Sequence, residues 1–151
     1  MKTENTINIL NDLIATTEDG KKGFAEAASD ATNPELKEIF QRRAVECSDA
    51  ATELQSIVQS IGGSPETSGT LAGAAHRGWV KVKAAVSDSN VAVLEEVERG
   101  EDHAKAAYKK ALKGDLPSPI RTVLERQQEG TIRNHDLIRD LRNTYRNSAS
   151  M

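Results

Sequence analysis

Apolar residues recur along this chain in alternating steps of three and four, and they do so in four long stretches. The first seam is Ile7, Leu10, Ile14, Thr17, Lys21, Phe24 and Ala28. It predicts an amphipathic helix from about Thr6 to Ser29. Asn33-Pro34-Glu35 closes that helix and opens the next. Asn33 is a good N-cap, and Pro34 fits the first helical turn, where its missing N–H costs nothing. The second seam, Leu36, Phe40, Arg43, Cys47, Ala50, Leu54, Ile57 and Ile61, predicts a helix over 34–61. Gly62-Gly63-Ser64-Pro65 ends it, since glycine takes the left-handed cap and proline prevents continuation. A third seam, Leu94, Val97, Glu101, Ala104, Tyr108 and Ala111, predicts a helix over 89–113, stopped by the segment Gly114 to Pro119. The fourth, Ile120, Leu124, Gln127, Thr131, Asn134, Ile138, Leu141 and Tyr145, predicts a helix over 118–146, with 147–151 left as a frayed tail.

Short turns make each consecutive pair an antiparallel hairpin. The connection between the pairs is long, and inside it Leu71, Ala75, Gly78, Trp79, Val82 and Val86 follow a short helical stripe. A helix over 71–86 would cover roughly 24 Å, most of the length of a bundle. Hairpin, long crossover, hairpin is the wiring of ferritin-like bundles. The expected fold is therefore all-α, a single ferritin-like four-helix-bundle domain over 1–146. The halves also echo each other. Glu18-Asp19-Gly20 returns as Glu98-Arg99-Gly100, Ile14 aligns with Leu94, Leu36 with Ile120 and Leu54 with Ile138, without a gap inside any helix.

Composition narrows the function classes. The 151 residues carry a net charge of −3, with 28% charged and only 3% aromatic residues. This excludes the basic face that nucleic acid requires. No run reaches the length of a membrane span. Met1-Lys2-Thr3-Glu4-Asn5 leads straight into an amphipathic pattern, without the apolar region of a signal peptide. Cys47 is the only cysteine, so there is no internal disulfide, and a reducing cytoplasm is the expected location.

Charge is concentrated at mid-height. Glu18 borders the first seam and Lys21 sits on it; Arg43 is on the second with Glu46 beside it. Glu98 flanks the third seam and Glu101 is on it; Gln127 and Thr131 lie on the fourth, with His135 a turn later. Unpaired buried charge costs several kcal/mol per ion, so such a layer must be compensated internally. Two readings satisfy this. In one, Glu18, Glu46, Glu98, Glu101, Glu129 and His135 supply ligands for a hard or borderline cation such as iron or manganese. In the other, Lys21 and Arg43 neutralise the carboxylates, Gln127, Thr131 and His135 add hydrogen bonds, and the layer fixes register. The spacing favours the second. Di-iron bundles place Glu three residues before His on two helices. Here Gly73, Gly100 and Ile132 precede His76, His103 and His135.

The remaining chemistry is sparse. Cys47, in an alanine-rich stretch, reads as a small buried apolar residue. His76, Arg77 and Trp79 on the crossover form a candidate partner surface, since Trp and Arg anchor interfaces. His103 falls opposite its seam. Arg133, Arg139, Arg142 and Arg146, interleaved with Asp136 and Asp140, read as helical ion pairs. There is no nucleophile elbow, no phosphate-cradling glycine loop and no paired-cysteine motif.

Four segments resemble the signatures of a bacterial ferritin-like four-helix-bundle family of unknown function, domain of unknown function 2383. They are Leu10–Ile14, Glu18–Phe24, Leu71–Trp79 and Glu98–Asp102. The resemblance implies a ferritin-like fold and brings no activity and no catalytic residues. The expected role is a non-enzymatic structural or interaction protein, acting through self-association or a protein partner. The alternative is a metal-binding bundle with an iron or manganese storage or redox role.

Overall fold

The computed structural model describes residues 2–67 and 89–150. Within them lie α1 (Lys2–Asp30), α2 (Pro34–Ser60), α3 (Ser89–Leu112) and α4 (Ser118–Ser150), and no strand. The expected crossover helix over 71–86, and with it His76, Arg77 and Trp79, lies outside the described residues.

The helix ends follow local chemistry. Asn33 caps α2, its side-chain oxygen accepting from the backbone N–H of Glu35 at 2.8 Å and of Leu36 at 3.3 Å, with Pro34 in the first turn. At the other end Gly62 takes φ 87°, and Gly62 and Gly63 donate to the carbonyls of Gln59 and Val58. This is the paired backbone bonding that a left-handed cap makes possible. The end of α3 is held from outside. Arg121, in the first turn of α4, donates to the carbonyls of Leu112 (2.8 Å) and Gly114 (2.7 Å). With no glycine or proline after Tyr145, α4 runs on through Ser150.

α1 packs along α2, α3 along α4, and α1 against α3; α2 and α4 barely touch. The apolar side chains divide into two clusters. One gathers Leu10 and Ile14 from the start of α1, Leu54 and Val58 from the end of α2, Tyr108 from the end of α3 and Leu124 from the start of α4. The other gathers Phe24, Phe40, Leu94, Val97 and Ile138 from the opposite ends. Thus α2 finishes at one end of the bundle and α3 begins at the other, the relation a ferritin-like bundle requires. Between the clusters every helix turns polar. Thr17, Glu18, Arg43, Glu101, Gln127, Thr131 and His135 are all buried.

Candidate functional site

The polar layer is built around one guanidinium. Arg43 projects from the core face of α2 and is 9% exposed. Its Nε donates to Glu101 Oε2 of α3 at 3.2 Å, its Nη2 to Thr131 Oγ1 of α4 at 3.2 Å and its Nη1 to Glu46 Oε1 at 3.4 Å. Its carbon centre lies 5.9 Å from the centroid of the Phe24 ring on α1, within cation–π range. One side chain therefore touches all three other helices. Burial disfavours its charge, but Cys47 and the Glu101 and Glu46 carboxylates more than offset this and hold the guanidinium above its ordinary pKa.

Glu101 is 2% exposed. Burial pushes its pKa up, while Arg43 and the Asn134 amide, which donates to Oε2 at 2.7 Å, pull against the rise. A second chain of bonds lies one turn away. Tyr108 donates its hydroxyl to Gln127 Oε1 at 2.8 Å, and Gln127 Nε2 donates to Glu53 Oε1 at 2.8 Å. Burial lifts the Tyr108 hydroxyl above its usual range. Burial also acts upward on Glu53, but its hydrogen bonds from Arg126 and Gln127 prevail and hold its carboxyl below the usual value.

The other ionic residues form one pair on α1 and a cluster around His135 between α3 and α4. Glu18, buried, takes Lys21 Nζ at 3.1 Å. Glu98 takes Arg142 across the α3–α4 seam and stands 3.7 Å from His135 Nε2. His135 places Nε2 2.7 Å from Asp102 and Nδ1 3.1 Å from Asp136. The His135 bond holds the Asp136 carboxyl below its usual range. Cys47 is buried beside Arg43, and burial pushes its thiol up to about 12. A Cβ added at Gly20 would stand 3.2 Å from Cys47 Sγ, so glycine sets the distance between α1 and α2 here.

Several expected positions differ. Glu129 is 72% exposed and among the described residues pairs with Arg133, at 4.0 Å. It stands two residues, about 200° around the helix, from the seam residue Gln127, and so faces outward. Glu46 is 52% exposed and reaches the layer only through Arg43. Lys21, 39% exposed, serves Glu18 rather than Glu98 or Glu101, because it neighbours Glu18 on the same helix face. Arg142 and Arg146 cross from α4 to Glu98 and Glu95 on α3. Arg142, Tyr108, Asn134 and Glu53 were not among the expected site residues. A signal existed: Tyr108 follows Glu101, and Arg142 follows His135, by seven residues, two turns along one face.

A cavity of about 540 Å³ opens beside this layer, where α2 and α4 face each other, with α1 and α3 also contributing to its lining. Arg43, Cys47, Glu101, Tyr108, Gln127 and Thr131 line its depth.

Residues 5–114, well over half of the chain, match the model of a family described as Domain of unknown function (DUF2383). The chain belongs to that family. Its fold is shared by solved structures, among them these three. One is a two-domain protein from Anabaena variabilis with DJ-1/ThiJ/PfpI-like and ferritin-like domains. It matches with a TM-score of 0.78 and 8% identity, covering 97% of this chain but 38% of that one. The second is a variant of Dps1 from Mycobacterium smegmatis, with a TM-score of 0.77 and 16% identity over 92% of this chain and 95% of that one. The third is a ferritin-like, diiron-carboxylate protein from Bacillus anthracis, with a TM-score of 0.70 and 16% identity over 95% and 97% of the two chains. At such identities the likeness is one of fold, and it makes the bundle ferritin-like. A search of curated proteins found no match. Among the described residues, no helix is long and apolar enough to cross a membrane.

Proposed function

We propose that this family member is a non-enzymatic ferritin-like bundle that works by association with itself or with a protein partner, and that its mid-height layer is a fixed ion-pair network. The observation that carries the reading is the position of Arg43, a buried cation bonded to Glu101 and Thr131 between the helices. The fold likeness to a diiron-carboxylate protein raises iron as the natural alternative, and manganese is close to it in ligand preference. The side chains fit those ions poorly. Glu101 Oε2 already accepts from Arg43 and Asn134, Glu98 from Arg142, and Glu18 from Lys21. A divalent ion beside Arg43 would meet like charge where burial weakens screening. Among the described residues no three His, Cys, Asp or Glu side chains converge as an ion requires.

Purified protein loaded with ferrous iron without oxygen, then desalted, is expected to retain no stoichiometric metal. Glu18→Ala and Glu98→Ala are expected only to lower the melting temperature. Retention near one or two ions per chain that disappears in both variants would overturn the network reading in favour of a metal centre. Sedimentation equilibrium tests the association itself, with a mass above the 16.4 kDa monomer expected.

A further inference from the structure

The cavity beside the layer is lined from all four helices, and the charged side chains that α2 and α4 contribute to it are arranged in an ordered way. Hydrogen bonds across it run from Arg43 to Thr131 and from Gln127 to Glu53, so the two helices are antiparallel and residues near Arg43 face those near Thr131 and Asn134. At that end Arg42, Arg43 and Arg133 outnumber Glu46 and Glu101 by one. Toward the other end Asp49 and Glu53 outnumber Arg126 by one. Arg42 and Asp49 lie seven residues apart on α2, about 10 Å along its axis. The cavity is thus dipolar, and its lining as a whole carries no net charge.

Two further observations point to an occupant. Arg43 is nine-tenths buried, and of the five N–H bonds of its guanidinium three are used, by Glu101, Glu46 and Thr131. Each of its three nitrogens thus has a partner, and two further N–H bonds remain as donors on a side chain that lines the cavity. Gly130, in the middle of α4, also lines the cavity. A Cβ there would meet nothing nearer than Arg133 Nη2, at 3.8 Å. Packing does not demand this glycine, although glycine costs a helix about 1 kcal/mol relative to alanine. Its effect is to leave that part of the cavity lining clear.

We infer that the α2–α4 cavity binds a small extended zwitterion, its carboxylate between Arg42, Arg43 and Arg133 and its ammonium at Asp49. Guanidinium forks match carboxylates in geometry as well as charge. Neither Arg42 nor Asp49 has an ion-pair partner among the described residues, so each is available without breaking a bond. A multiply charged anion is disfavoured by the neutral lining, and a lone carboxylate or lone amine would satisfy one end only. This site goes beyond the association role and stands or fails apart from it.

Calorimetric titration of the full chain with ε-aminocaproate, caproate, hexylamine and inorganic phosphate tests the site. The zwitterion is expected to bind at least about tenfold more tightly than any of the other three. Arg42→Ala and Asp49→Ala, both at exposed positions, are expected to weaken it at least about tenfold each. Gly130→Leu is expected to abolish binding without lowering the melting temperature, because leucine fills the cavity and favours the helix. Caproate or phosphate binding as tightly as the zwitterion would overturn the inference, leaving a simple anion site. So would zwitterion binding that is indifferent to Asp49→Ala, or no saturable heat from ε-aminocaproate up to about 10 mM.

Discussion

At the scale of single residues, the decisive contact is between Arg43 and Glu101, two charges taken out of water together. Such a pair is a poor source of net stability but a costly thing to break. Removing one partner strands the other in a medium that does not solvate it, at about 3–5 kcal/mol, whereas replacing both with apolar groups is often neutral. Arg43→Met alone is therefore expected to lose about 3–5 kcal/mol in urea unfolding, and Arg43→Met with Glu101→Leu to return to within about 1 kcal/mol of the natural chain. A loss in the double variant equal to the sum of the losses in Arg43→Met and Glu101→Leu would show that the pair is not energetically linked. Positions on a seam were readable from the sequence alone, which is why Arg43, Glu101, Gln127 and Thr131 could be named. Partner choice was not. Glu98 meets Arg142 because α3 and α4 cross at one particular height, and that depends on side-chain packing that no periodicity encodes.

At the scale of the helices, glycine placement sets spacing as much as hydrophobic patterning does. Gly20 lets the Cys47 thiol approach the α1 backbone. Gly20→Ala alone is expected to destabilise, because its new methyl meets Sγ at 3.2 Å and neither helix can retreat without opening the core. In a Cys47→Ala background the clash is gone, and the same change is expected to stabilise by about 1 kcal/mol through helix propensity alone. The reversal of sign, read from thermal or urea melts of the four proteins, is the test; a stabilisation of the same size in both backgrounds would refute the close contact. The four helices themselves were legible because each seam persists for about five turns or more and each break carries Asn-Pro, Gly-Gly or Gly-Asp. Glu129 shows the opposite: its side-chain chemistry suits a ligand, but two residues from a seam is almost the far side of a helix, and it lies exposed.

At the scale of the molecule, ion pairs make stability depend on pH. Glu53 and Asp136 hold protons less tightly in the folded chain than model carboxylates do. Each contributes stability that is fully present above the ordinary carboxylate range and is lost as pH falls through the lowered folded value. The denaturation midpoint of the natural chain is accordingly expected to exceed that of Glu53→Gln at neutral pH. The gap should close on acidification below about pH 4.5, the ordinary value for this side chain. A gap that persists or widens in acid would show that Glu53 acts through something other than its charge. Arrangement also governs when the chain can be completed. Leu10, Leu13 and Ile14 share their cluster with Leu54, Val58, Tyr108 and Leu124. On a ribosome adding roughly 5–20 residues each second, the earliest of these side chains emerge on the order of 5–20 s before the last of their neighbours is made. The amino-terminal helix therefore spends seconds as an unfinished surface during synthesis, an interval in which a chaperone would find it open.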